Sequence, residues 1–89
     1  MKAILTVIGK DKPGIIARVS AVLADNNINI EDISQTIMQG FFTMVMLVNV
    51  DNSRMPFDVF VDTMKRLGED IGVEIYTQHE DIFNTMHKV

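Results

Sequence analysis

Val7-Ile-Gly-Lys-Asp-Lys-Pro-Gly-Ile-Ile16 reads as a strand that enters a tight turn and leaves it as a helix. Pro13 suits the first turn of that helix, because its fixed φ is already helical and a first-turn N–H has no intrahelical partner. Gly9 and Gly14 let backbone pass close to backbone or to a ligand. The first N–H groups of the helix point out of its N-terminus with partial positive charge. A small polar ligand, above all a carboxylate, can dock on such groups. The same residues also have a plain structural reading. Asp11 can cap the helix by accepting the N–H of Gly14, and Gly14 can serve close helix–strand packing. Both readings stay open at this point.

Outward from the turn, the pattern is regular. Residues 2–9 alternate as a strand, with Ala3, Leu5 and Val7 on one face and Ile4, Thr6 and Ile8 on the other. Both faces are largely apolar, which predicts a central strand covered on both sides. Residues 13–26 predict a helix with Ile15, Ile16, Val19, Val22 and Leu23 in one stripe. Asn27 is the expected stop, since Asn tolerates the left-handed conformation that ends helices. In the second strand, 28–39, Ile28 and Ile30 are two apart but Ile30 and Ile33 are three apart. Holding all three inward requires an extra residue, so a β-bulge is expected near Glu31-Asp32. Gln39-Gly40 is a turn signal and 41–50 the third strand, which together make a hairpin. Phe42, Met44, Met46 and Val48 share one face of it; Phe41, Val45 and Leu47 share the other.

Asp51 to Met55 reads as a polar loop. Phe57, Phe60, Val61, Met64, Leu67 and Ile71 then keep helical spacing over a second helix, 56–70. Residues 73–79 alternate as a fourth strand with Val73, Ile75 and Thr77 inward, and 80–89 offer a last helical turn or two. Strand, helix, strand, strand, helix, strand with right-handed crossovers predicts an α+β, ferredoxin-like βαββαβ sandwich. Its four-stranded antiparallel sheet carries both helices on one face.

The composition narrows the function classes. The 89 residues make a single domain, 1–89, with 47% hydrophobic residues and net charge −4. A chain of this length buries only ~60–65% of its unfolded surface, so association is expected. The acidic balance argues against nucleic acid as a partner, because such binding needs clustered Lys and Arg. Cysteine is absent, which removes disulfides and thiolate metal sites. The start lacks a signal-peptide pattern. The longest uncharged stretch, 33–50, contains Ser, Gln, Thr, Gly and Asn, so no membrane span is expected. A cytoplasmic location follows as the expectation.

Lys10 to Gln35 resembles the ACT domain, an amino-acid-binding regulatory module of metabolic enzymes. D-x-P-G-I at 11–15, Leu23 and Asn29-Ile30 are its most recognisable points, and the similarity extends over essentially the whole chain. The closing residues 78–89 are similar to those of small stand-alone ACT proteins of unassigned function. The resemblance implies a homo-oligomer, a dimer or larger, with a small ligand at the junction of two copies. The ligand would lie between the first turn of one copy and the start of the second strand of the other. Gly9, Asp11, Pro13, Gly14, Ile15, Asn29 and Ile30 are the implied ligand-binding residues. In the serine-sensing domain of phosphoglycerate dehydrogenase, a His, an Asn two residues later and an Asn before the second strand hold the ligand. Here those positions are Gly9, Asp11 and Asn29, so only Asn29 is retained. A carboxylate attracts an ammonium and repels another carboxylate. Asp11 is therefore expected at the amino group of an amino acid, with Gly14 and Ile15 N–H groups and the partner's Asn29 at its carboxylate. Asn29 has a structural reading too, as a side chain satisfying local backbone at a helix–strand junction.

Other chemistries find less support in the sequence. Gly40-Phe41-Phe42 echoes the Gly-aromatic signature of RNA-recognition motifs, but the first strand offers no second aromatic and the third has no Lys or Arg. Acylphosphatases share the plan but hold phosphate with an Arg in the first loop, where Lys10 and Lys12 stand here. Ser20 falls within a helix, and the two His residues, His79 and His87, lie in the last eleven positions, so no catalytic triad can be placed and no enzyme is expected. His79, Glu80, Asp81 and His87 match no metal-ligand spacing, and no cofactor is implied. Met38, Met44 and Met46 on the hairpin suit either an association surface or core filling. The expected role is regulatory ligand binding whose output passes to a separate protein. The alternative is a ligand-free interaction module.

Overall fold

The computed structural model describes residues 1–81. Its elements are β1 (Lys2–Lys10), α1 (Ile15–Asp25), β2 (Asn29–Met38), β3 (Phe41–Asn49), α2 (Phe57–Ile71) and β4 (Glu74–His79). The sheet runs β2-β3-β1-β4, antiparallel throughout. This is the ferredoxin-like βαββαβ arrangement, and each element lies within two residues of its expected bounds. Glu80 and Asp81 are helical; Ile82, Phe83, Met86 and His87, on which the expected closing turn depends, lie outside the described residues.

The two periodicities of the sequence meet in one core. Ala3, Leu5, Val7, Phe42, Met44, Met46 and Val48 point from the sheet toward Ile15, Val19, Leu23, Phe60 and Met64 of the helices, and all are buried. Met44, Met46 and Met64 are fully enclosed, so two of the three hairpin methionines fill core while Met38 stands exposed. Gln39 and Gly40 both take positive φ, 52° and 81°, the form of two-residue turn that matches the twist of a hairpin. Asn27 ends the first helix at φ 60°, as expected. The ladder between β2 and β3 slips between Ile30 and Asp32, which is the bulge that the three-residue step Ile30–Ile33 demands.

Two expectations need correction. α1 does not start at Pro13. Gly14 takes φ 89°, a left-handed value at which the helical path cannot continue, so the helix begins at Ile15 and Pro13 belongs to the turn. β1 is central in the sheet, but among the described residues α1 and α2 cover one of its sides only. Its outward residues Ile4 and Thr6 are half-buried and Ile8 is exposed, because both helices lie on the other face.

Candidate functional site

β1 ends at Lys10, and the turn that follows is tied to the hairpin by the Asp11 N–H, which donates to the Gly40 carbonyl at 2.9 Å. This bond holds the turn over the hairpin end of the sheet. Beyond it, the left-handed Gly14 swings the chain into α1. The first helical bond runs from the Arg18 N–H to the Gly14 carbonyl. No side chain caps this N-terminus and no acidic residue sits in its first turn. The capping role weighed for Asp11 is therefore not realised. Instead its carboxylate makes no hydrogen bond or ion pair among the described residues.

Between this helix start and the edge of the sheet lies an open groove of about 240 Å³, lined by Asp11, Lys12, Gly14, Ile15, Ile16, Ala17, Gln35, Ile37 and Phe42. Its floor is apolar, and its polar lining includes the Asp11 carboxylate and the Gln35 amide. Ile16 leaves the buried stripe of α1 and opens onto this groove. Ile33 and Ile37 pair with Met46 and Phe42 and so face the helix side. They are nevertheless 44% and 55% exposed, because α1 covers the edge strand only in part. Gln35, Ile37 and Ile16 were not among the expected site residues. Their one sequence signal is a surplus of isoleucine on β2 and α1 beyond what a single core needs.

The expected site residues divide into separate places. Asp11, Gly14 and Ile15 meet in the groove, while Pro13 lines an adjoining recess with Lys12, Arg18 and Asp70. There Arg18 pairs with Asp70 at 2.6 Å, and the Lys12 ammonium lies over Gly72 at the C-terminal end of α2, where the helix dipole favours a cation. Gly9 is not in the groove. A Cβ there would sit 2.7 Å from Val73 Cγ1, so this position is closed to any side chain by packing. Ile30 packs on the core opposite Val48.

Asn29 is remote within one chain. It pairs with Asn49, which also pairs with Lys2, at the start of β1. The turn lies at the other end of that strand, roughly 26 Å away at ordinary strand rise. The side chain of Asn29 makes no hydrogen bond among the described residues, so the local backbone role weighed for it is not realised either.

A second concavity, about 480 Å³, runs between α2 and β4 along Val61, Lys65, Glu69 and Val73 to Gln78. It is the larger of the two, yet it contains none of the expected site residues. Among the described residues no three His, Asp or Glu side chains group as metal ligands do, and no helix is long and apolar enough to cross a membrane.

The profile of the ACT domain matches residues 2–75. This chain belongs to the ACT domain family. It is 55% identical over 89 residues to a UPF0237 protein of Clostridium acetobutylicum, covering 100% of both chains. An ACT domain protein from Streptococcus pneumoniae superposes with TM-score 0.83 at 42% identity, over 93% of each chain. The ligand-free regulatory subunit of aspartate kinase from Thermus thermophilus gives TM-score 0.68 at 25% identity, over 88% of this chain and 50% of that one.

Proposed function

We propose that this ACT domain is a regulatory protein that binds an α-amino acid in the groove at the start of α1. A second copy completes the site across the free edge of β2. The observation behind this reading is that neither the Asp11 nor the Asn29 side chain is engaged among the described residues, and that Asp11 lies beside an uncapped helix N-terminus. Each has lost its structural explanation, and each is a group that an amino acid requires. Asp11 attracts the ammonium. The N–H groups of the first turn of α1 donate to the carboxylate, and the apolar floor of Ile37 and Phe42 takes the side chain. β2 lies at the sheet edge with its ladder groups unpaired on one side. Antiparallel pairing of two β2 edges reverses their ends. It sets the start of the partner's β2, the segment that carries Asn29, alongside the segment that carries Gln35 and Ile37. The family membership and the regulatory subunit among its structural neighbours agree with this role. In this reading a separate protein receives the output.

The test is thermal unfolding against the twenty amino acids at fixed protein concentration. A ligand at a hundred times its Kd adds ~2.7 kcal/mol to the native state. Each kcal/mol raises the midpoint by roughly 4–8 °C in a domain of this size. One amino acid is expected to raise it, and Asp11→Ala to abolish that rise while leaving the oligomer intact. No shift with any amino acid would instead favour an interaction module, a role that fits the loss of a ligand side chain at Gly9.

A further inference from the structure

The outer face of the sheet, opposite the helices, has the layout of an interface. Its two central strands present Ile4, Thr6 and Ile8 from β1 and Phe41, Thr43, Val45 and Leu47 from β3, with no charge between Lys2 and Lys10. Ile8 and Val45 are 40% and 42% exposed, and Phe41 and Tyr76 more than half. The edge strands contribute a mostly polar rim, Asp32, Ser34 and Thr36 from β2 and Glu74 and Gln78 from β4, interrupted by Met38 and Tyr76. An apolar centre inside a polar rim is the usual anatomy of a protein interface. Four strands at ordinary spacing give this face about 500 Å² on one copy. Two copies together bury on the order of 1,000 Å², which reaches the lower range of specific interfaces.

We infer that this face packs against the same face of a second copy, sheet on sheet, about a two-fold axis parallel to the strands and midway between β1 and β3. The charges select both the partner and the axis. With that axis β1 faces the partner's β3. Ile4 then opposes the partner's Leu47, Thr6 the partner's Val45 and Ile8 the partner's Thr43. Lys10 comes over the ring of the partner's Phe41, a favourable place for a cation. At the rim Asp32 meets the partner's Gln78, and Thr36 the partner's Glu74, so no like charges are opposed. A two-fold axis across the strands would set Lys10 against the partner's Lys2, which Glu31 already pairs at 3.0 Å, and Phe41 against the partner's Asn49, so the cation–ring contact is lost. Two sheets so placed form an aligned sandwich about 10 Å apart. This interface is distinct from the β2 edge, so it does not depend on ligand binding; where both form, the assembly is a tetramer.

Sedimentation equilibrium with a complementary pair of variants tests the inference. Leu47→Lys and Ile4→Glu each place a charge at the buried centre and are expected to weaken this association on the order of a hundredfold. Each alone should sediment at half the mass of the unsubstituted protein, with unchanged circular dichroism. Mixed in equal amounts they should recover the full mass, because the ammonium introduced in one copy then faces the carboxylate introduced in the other. Should Leu47→Lys lose its helical signal, Leu47→Gln, which adds no charge, is the variant to read. An unchanged mass for a folded variant, a monomeric unsubstituted protein at high concentration, or a mixture that stays at half mass would overturn the inference. Ligand response in the half-mass variants reads the β2-edge site separately: it survives if only the sandwich is broken.

Discussion

β4 and β2 are both edge strands, but α2 lies along β4 whereas α1 leaves the helix side of β2 open. Ile75 of β4 and Met64 of α2 are buried against each other's layer, and the Val73 N–H donates to the Gly68 carbonyl at 2.8 Å, closing the turn between α2 and β4. On the other side, Ile33, Gln35 and Ile37 face the same layer but remain exposed beside α1. β2 is held instead by its ladder with β3 and by polar contacts at the bulge. There Glu31 accepts from the Lys2 ammonium at 3.0 Å and from the Asn49 amide at 3.3 Å. The difference teaches where this fold keeps its stability: one edge is closed by a helix, and the other carries open apolar surface, which in the proposed reading serves a ligand and a second chain.

The contrast can be broken from its strong side first. Met64→Ala empties a fully buried position and should lower the unfolding free energy by about 3 kcal/mol. Ile37→Ser, at an apolar position of similar size on the open edge, should change it by less than about 0.5 kcal/mol in the isolated chain. Urea unfolding of the two variants side by side checks the pair, and equal losses would mean that β2 is covered after all. Gly14→Ala comes next. Nothing lies within 4 Å of the added Cβ, so the cost is conformational, about 1 kcal/mol for a left-handed φ, and the same urea series measures it. The smallest effect concerns the anchor of β2. Hydrogen bonding to Lys2 and then to Asn49 holds the Glu31 carboxyl below its ordinary 4.5. A depressed carboxylate stabilises the fold above its unfolded pKa, and that contribution is lost as pH falls through the folded value. Glu31→Gln should therefore flatten the decline of the melting midpoint below about pH 4.5, with little change at neutral pH, since the pair is exposed to solvent.

The sequence alone determined the element order, the hairpin at Gln39-Gly40 and even the bulge. Each rests on local chemistry: a period of two or 3.6, a turn residue, or a step of three between isoleucines that must face one way. The ACT signature at 11–15 and at Asn29-Ile30 is legible for the same reason, as a local motif. Local chemistry could not set where α1 begins. Asp11 looks like a cap and Pro13 like a first-turn residue, but the turn is tied back to Gly40 and Gly14 beyond it takes a left-handed φ. Nor could it show that Gly9 is closed by Val73, a residue far along the chain. Which isoleucines remain open was likewise decided only by the tertiary structure. Ile15 and Ile16, or Ile30 and Ile37, are chemically alike, and burial depends on how far α1 reaches across the sheet. That reach is a property of packed layers, not of any stretch of sequence.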